Sequence, residues 1–274
     1  MNPREQSKEA LPFLKWAGGK RWLTSAYSNL FPGHFGRYFE PFVGSGAVFF
    51  SLRPKVATLA DINPELIDCY ITVREEWKKL QDLLTDHHKK HSKEHYYKVR
   101  QVKPIDPAEK AARFIYLNRT CWNALYRVNL KGEFNVPIGT KTNVVIGTDD
   151  FEGVSKLLQG VTLTHLDFEN VIDQAQKGDL IFADPPYTVK HNFNGFVKYN
   201  EKIFHWDDQV RLSKCLIRAS ERGCLVFLTN ANHSSIIELY ENDFDLTPLK
   251  RSSVIAASSS KRGMYEELVI RNYS

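Results

Sequence analysis

At 274 residues, with 42% hydrophobic, 25% charged and 12% aromatic residues, the chain is long enough to bury a sizeable core, as one large domain or two unequal ones. No apolar run nears the roughly 20 residues of a membrane helix, and the polar start MNPREQSKEA lacks the apolar centre of a signal peptide, so a cytoplasmic protein is expected. The net charge of +5 is uneven: residues 70–145 hold 15 Lys and Arg against 8 Asp and Glu, which leaves −2 for the rest and suggests either a module facing a polyanion or a solvated basic helical face.

In chain order, GRYFEPFVGSGAVFFSL predicts a strand, a glycine turn and a helix, and KVATLADIN a second short strand ending in an acid. NPELIDCYITVREEWKKLQDLLTDHHKKH has helical spacing, with Asn63 as N-cap and Pro64 at the first helical position. Helical character is expected to continue through EKAARFIYLNRTCWNALYRV, and the Gly, Pro and Asn content of NLKGEFNVPIGTKTNV predicts a loop. GVTLTHLDF, GDLIFADPPY, CLVFLTN and EELVIRNY read as strands, DDQVRLSKCLIRASERG as an amphipathic helix and RSSVIAASSSKRG as a mobile loop. Strands alternating with helices imply an α/β fold with a mostly parallel sheet covered on both faces. Cys69, Cys121, Cys215 and Cys224 show no paired spacing, so neither a disulfide framework nor a zinc site is indicated.

Ligands of such sheets bind beyond the carboxyl ends of the strands, near the switch in strand order. Gly44 and Gly46 of FVGSG lie in a turn that lets a ligand approach the backbone, although a plain structural turn reads equally well, because Phe49 stands where the dinucleotide fingerprint has its third glycine. Asp61, 17 residues beyond Gly44, suits the two hydroxyls of a ribose. DPPY is more specific. An exocyclic amine on a nucleobase is a poor nucleophile, because its lone pair is delocalised into the ring. A carboxylate (Asp184) and a main-chain carbonyl (Pro185) that accept both N–H bonds favour a pyramidal nitrogen aimed at an electrophile. Pro185 and Pro186 hold both acceptors rigidly, and Tyr187 offers a face for stacking a base.

FLKWAGGKRWL, YFEPFVGSGAVFF, ADIN, LNRTCWNALYRVNLKGEFNVP and DPPY, in this order, resemble the bacterial DNA adenine-N6 methyltransferases of the Dam type, over nearly the whole chain. The resemblance implies a seven-stranded, Rossmann-like S-adenosylmethionine-dependent methyltransferase sheet with an inserted helical target-recognition domain. Its implied division is residues 1–63 for the first, cofactor-binding part of the catalytic domain, 64–145 for target recognition and 146–274 for the second part with the DPPY site. It places Trp16, Lys20, Phe42, Gly44, Gly46, Asp61, Asp167 and Asp184 at S-adenosylmethionine, with Asp61 on the ribose and Asp167 on the adenine edge. A target adenine within duplex DNA must be extruded to reach Asp184 and Tyr187. The stretch TVKHNFNGFVKYN is placed to close over it, with Phe193, Phe196 and Tyr199 packing on the base or merely anchoring the loop.

Sequence recognition is implied for RTCWNALYR and its flanks. Trp122 matches an aromatic wedge that enters the duplex, Asn123, Leu125 and Lys15 match base-facing positions, and Arg127 could bond a guanine bidentately. Arg119 and Lys131 are expected on phosphates, and Pro137 and Lys141 complete the implied DNA contacts. The sequence departs from the family in having IGTK after NVP, Ala124 where many members have glycine and Trp122 where they have Tyr or Phe. GATC is the commonest family target. The implied enzyme is a monomer that uses no metal and serves restriction–modification, a phage or a solitary epigenetic role. The helical spacing of His87, His91 and His95 would suit a metal, but the surrounding lysines oppose a cation. Two rivals are an amino-methyltransferase for cytosine N4 or RNA, and a DNA-binding relative without activity. Asp rather than Ser before Pro-Pro disfavours the first, and the intact Lys20, Asp61, Asp184, Pro185 and Tyr187 the second.

Overall fold

The computed structural model describes residues 10–124, 126–129, 132–190, 204–252 and 264–273. Seven strands form a sheet in the order β3-β2-β1-β4-β5-β7-β6: β1 Tyr38–Glu40, β2 Ala57–Ala60, β3 Thr162–Thr164, β4 Leu180–Ala183, β5 Leu225–Ala231, β6 Asp245–Ser252 and β7 Met264–Arg271. β2, β1, β4 and β5 run parallel, whereas β7 is antiparallel to both β5 and β6. β6 (DLTPLKRS) carries no strand signal in the sequence, because Pro248 and the polar residues mask it. Its pairing explains the exception: β6 bonds β7 on one side and lies at the sheet edge, where a proline costs no ladder bond on the open side.

The chain divides into two compact units, one of Met1–Ser28, Val43–Pro54 and Asn63–His165, the other of Asn29–Phe42, Lys55–Ile62 and Leu166–Ser274. The second unit is built on β1, β2 and β4 to β7. α7 (Phe168–Ile172), α8 (Trp206–Glu221) and α9 (Ser234–Tyr240) belong to it as well. Its core includes Phe39, Ile181, Val226, Leu228 and Ile270 from the strands and Leu212, Leu216 and Ile236 from the helices, all buried. At the start of β4 the buried Asp179 accepts from the part-exposed Arg37 guanidinium at 2.7 Å and from the Arg37 backbone N–H at 2.7 Å.

The first unit is mainly helical, with α1 (Arg21–Ala26), α2 (Ala47–Leu52), α3 (Pro64–Lys90), α4 (Lys93–Gln101), α5 (Pro107–Thr120) and α6 (Phe151–Leu158). Asn63 caps α3, accepting from the N–H groups of Glu65 and Leu66, with Pro64 at the first turn as expected. The helix has a non-helical residue, Glu76, in its interior. Ser92 caps α4 in the same way as Asn63, so the basic helical run breaks in two after Lys90. Helical character ends at Thr120 rather than running on through Val128, because Cys121 is extended and a single turn at Trp122–Ala124 follows. Residues 126–129 and 132–143 are loop, held by isolated bridges Cys121↔Ile138 and Val128↔Phe134. The expected loops at residues 191–200 and 253–263, with Phe193, Phe196 and Tyr199, lie outside the described residues, as do Leu125 and Lys131. Among the described residues no helix is long and apolar enough to cross a membrane.

Candidate active site

In the second unit, β1 lies between β2 and β4, so the switch in strand order falls between β1 and β4. Their parallel register, Tyr38↔Leu180 and Phe39↔Ile181, puts Glu40, Pro41 and Phe42 at the same carboxyl edge as Asp184. Asp61 follows β2 at that edge. This is the position at which open α/β sheets bind ligands.

The DPPY turn is fastened on three sides. The Gln209 amide of α8 donates to the Pro186 carbonyl at 3.2 Å, and Gln209 accepts in turn from Asn230 of β5 at 3.0 Å. Thr229 of β5 donates its hydroxyl to Asp184 Oδ1 at 2.8 Å. The Tyr187 phenol donates to Glu267 Oε2 of β7 at 2.9 Å. Burial, with the Asp184 and Glu267 carboxylates beside it, drives the Tyr187 phenol well above its ordinary range, so it stays protonated and acts as a donor. Thr229 and Glu267 were not singled out in the sequence. The available signals were an acid at the head of the apolar run Leu268-Val269-Ile270, and the strand alternation that puts Thr229 beside Asp184.

Phe42 stacks on Phe168 at 5.5 Å and meets Phe204 edge-on at 5.6 Å. Asp167, expected on an adenine edge, is engaged differently. Both its oxygens bond the Arg211 guanidinium, at 2.6 and 2.8 Å, and Oδ1 also caps α7 at the Glu169 N–H. The ion pair with Arg211 holds its carboxyl below the usual carboxylate range, with the capping bond adding to the effect. The bonds to Arg211 and to the Glu169 N–H fasten the start of α7, and Arg211 also covers the Phe168 ring at 4.1 Å.

The first unit supplies the glycine turn. Gly44 and Gly46 take left-handed φ of +47° and +65°, Gly46 donates to the Val43 carbonyl at 2.6 Å, and the Tyr70 hydroxyl donates to the Gly44 carbonyl at 3.1 Å. A Cβ added at Gly44 would come within 2.6 Å of Trp16 Cδ1, so only glycine lets the indole lie against the turn. Trp16 is also stacked with Tyr126 at 5.9 Å and Phe114 at 6.5 Å. Lys20 is buried and donates to the Gly18 carbonyl at 2.9 Å.

Of the expected DNA contacts, Trp122 is exposed over 54% of its surface, on a turn whose next two residues, Asn123 and Ala124, hold left-handed φ of 54° and 52°. That is strained backbone for residues with a Cβ. The NVPIG segment clamps its base: Trp122 N–H donates to the Pro137 carbonyl at 2.9 Å and Gly139 N–H to the Thr120 carbonyl at 2.8 Å. Lys15 and Lys141 are exposed, and partial desolvation of Lys15, with the positive charges of Arg119 and Lys141, lowers its ammonium. Asn118 holds the Lys15 main chain from both sides, accepting from its N–H at 2.9 Å and donating to its carbonyl at 2.7 Å. Arg127 is half-buried, its Nε donating to Asn135 at 3.0 Å.

Arg119, expected on a phosphate, is instead turned into the interior. It is 1% exposed, makes two bonds of 2.7 Å to the Asp149 carboxylate and donates to the carbonyls of Val144 and Phe13. It comes from the last turn of α5, on the side that faces the core. Its place in RTCWN gave no hint of that orientation. His87, His91 and His95 gather around the Tyr116 ring: His87 Nδ1 is 3.0 Å from His95 Nε2, and His91 Nδ1 is 2.9 Å from the Tyr116 hydroxyl. Among the described residues no three His, Cys, Asp or Glu side chains form a metal-holding group.

A carboxylate-led proline turn at the switch point of an α/β sheet, with an aromatic ring beside it, defines an enzyme that handles a planar base-like substrate. The model of the D12 class N6 adenine-specific DNA methyltransferase family matches residues 16–255. A type II methyltransferase, M1.LlaDCHI of Lactococcus lactis subsp. cremoris, is 36% identical over 283 residues, covering 100% of this chain and 99% of the relative. M.MjaIII of Methanocaldococcus jannaschii, also a type II methyltransferase, is 37% identical over 97% of this chain and 100% of its own. A DNA adenine methylase of Haemophilus influenzae is 32% identical over 98% and 97%. The chain belongs to the D12 class N6 adenine-specific DNA methyltransferases. It is an enzyme that methylates adenine N6 in DNA, and the reaction requires a methyl donor.

Proposed function

We propose that the protein, as a monomer, transfers a methyl group from S-adenosylmethionine to an adenine extruded from a short specific duplex site, with Asp184 and the Pro185 carbonyl gripping the N6 amine. The observation that carries this reading is the fastening of Asp184 and Tyr187 at the carboxyl edge of the sheet, with Gln209 occupying the neighbouring Pro186 carbonyl.

The residues present fit this donor. S-adenosylmethionine carries no phosphate, so its binding turn needs close approach rather than an anion nest, and Gly44 is a turn against which no Cβ fits. In the first unit Trp16, Lys20, Gly44 and Gly46 are the proposed donor contacts. In the second they are Phe42, Asp61 and Asp184, with the Asp61 carboxylate receiving the ribose hydroxyls. When bound, S-adenosylmethionine supplies a sulfonium methyl as the electrophile. Asp184 accepts one amine hydrogen and the Pro185 carbonyl the other, which turns the nitrogen lone pair out of the ring plane, and Tyr187 holds the base flat. The proton released after transfer leaves through Asp184 or solvent.

Residues 64–145 are the proposed target-recognition part, supported by the +7 charge of residues 70–145 and by the exposed Trp122 on its strained turn. Trp122 would take the space left by the extruded base. Lys15, Asn123, Leu125 and Arg127 are the proposed base readers, with Lys131, Pro137 and Lys141 along the backbone. Incubating plasmid DNA with the enzyme and S-adenosylmethionine, followed by single-molecule sequencing, tests the reading. N6-methyladenine in one short context, GATC being the first candidate, is the expected result. N4-methylcytosine, or methylation restricted to single strands, would refute it.

A further inference from the structure

The polar groups behind the DPPY turn form a set that reaches beyond the acceptors themselves. On β4 and β5 the register pairs Ala183 with Leu228, so the next residues, Asp184 and Thr229, point to the same sheet face. On β5 and β7, Ala231 pairs with Glu267, and alternation along β5 puts Thr229 and Ala231 on that face with Glu267. Three strands therefore deliver a hydroxyl and two carboxylates to one patch, and the fully buried Thr229 and the 6% exposed Glu267 sit inside the sheet's core rather than at a water-facing rim. A buried acid on an interior strand is costly unless hydrogen bonds hold it. Here the Tyr187 phenol supplies one, at 2.9 Å.

We infer that Thr229 and Glu267 are positioning residues for methyl transfer, Thr229 orienting the Asp184 carboxylate and Glu267 tethering the Tyr187 ring. The inference rests on the proposed roles of Asp184 and Tyr187. A carboxylate on a single Cβ–Cγ bond rotates readily, and the 2.8 Å bond from Thr229 to Oδ1 fixes its plane. A tyrosine ring used as a stacking surface has to keep its tilt, and a bond at the far end of the ring has the longest lever to do so. Charge and protonation are consistent with this: the phenol remains protonated and so donates to Glu267 instead of competing for its proton. An amine that must be held for in-line attack loses about 10- to 100-fold in rate when its holders are displaced by roughly an ångström.

The test is single-turnover methyl transfer from tritiated S-adenosylmethionine to plasmid DNA, with KM values for both substrates and a thermal melt for each variant. Thr229→Val keeps the side-chain shape and is expected to slow transfer about 10- to 100-fold with both KM values unchanged, while Thr229→Ser restores the rate. Glu267→Ala and Tyr187→Phe are expected to slow transfer by one shared factor, and the double variant to be no slower than either single one, because both remove the same bond. Glu267→Gln, which keeps an acceptor for the phenol and covers the case in which Glu267→Ala folds poorly, retains most of the rate. Wild-type rates in Thr229→Val and Glu267→Ala beside an inactive Asp184→Ala would overturn the inference and leave the site reading standing. So would a Thr229→Ser variant as slow as Thr229→Val, since the loss would then be one of packing. An active Asp184→Ala variant would remove the site reading itself, and this inference with it.

Discussion

Replacing Arg119 separates a structural role from a DNA contact. The guanidinium is 1% exposed, and the partner Asp149 side chain is 9% exposed. Both nitrogens that bond the carboxylate, at 2.7 Å each, also bond a main-chain carbonyl, of Val144 in one case and of Phe13 in the other. One side chain thus ties the end of α5 to the residue 144–149 loop and to the segment before Trp16. Asp149→Asn leaves a buried guanidinium without its counter-charge, a change that costs about 3–5 kcal/mol. Arg119→Met leaves the carboxylate stranded and costs a similar amount. For a chain of this size each kilocalorie moves the melting temperature by about 2–4 °C, so both variants should melt roughly 6–20 °C lower. Thermal unfolding followed by circular dichroism measures the shift, and the salt dependence of DNA binding is the second readout. Each lost phosphate contact would reduce the slope of log K against log salt by about 0.9, and here the slope should not change. An Arg119→Met variant with wild-type melting and a shallower salt slope would refute the structural assignment.

Other outcomes follow from the same structure. Burial and the neighbouring His95 lower His87 to about 4, and His91 and His95 shift the same way. The His87 ring stays neutral in the fold well below pH 6.5, where it is charged when unfolded, so its stabilising share is full above that pH and is lost between 6.5 and about 4. Solvent at the half-exposed His87 ring holds its share of the loss to about 1–2 kcal/mol, and urea titrations at pH 7 and pH 5 should show it; equal midpoints would contradict it. Arg127→Ala is expected to cost about 1–3 kcal/mol of binding and to relax selection at one base pair; equal loss on every sequence would make it a backbone contact. Gly139→Ala forces a Cβ to within 2.5 Å of the Cys121 carbonyl oxygen, so the Trp122 turn must shift. Its DNA affinity should fall while S-adenosylmethionine affinity, measured by calorimetry, stays put; unchanged DNA binding would show that the clamp does not set the turn.

Much of this was legible in the sequence because it is local. A glycine turn, an Asn-Pro helix start and an acid followed by two prolines each dictate backbone within a few residues, and β1, β2, β4, β5 and α3 stand where the patterns put them. The remainder depends on partners far along the chain. Arg119 lies in a stretch that looks solvent-facing and basic, yet its partner Asp149 is 30 residues away, and nothing in RTCWN signals it. Asp167 meets Arg211 from α8, 44 residues on, a pairing that nothing in its own stretch signals. Glu267 is 80 residues from Tyr187 and reaches it only because β7 inserts antiparallel between β5 and β6, a strand order that periodicity does not reveal. The three histidines do not share one helical face: His87 ends α3, His91 lies in the break and His95 opens α4, and that break brings all three rings against Tyr116 of α5.

The central claim is that the Asp184 carboxylate holds the amine that is methylated. Asp184→Ala, assayed for tritium transfer from S-adenosylmethionine to duplex DNA and for DNA affinity in the same buffer, tests it most directly. Transfer lost with DNA binding within a few-fold of wild type is the predicted result; transfer at or near the wild-type rate would contradict it.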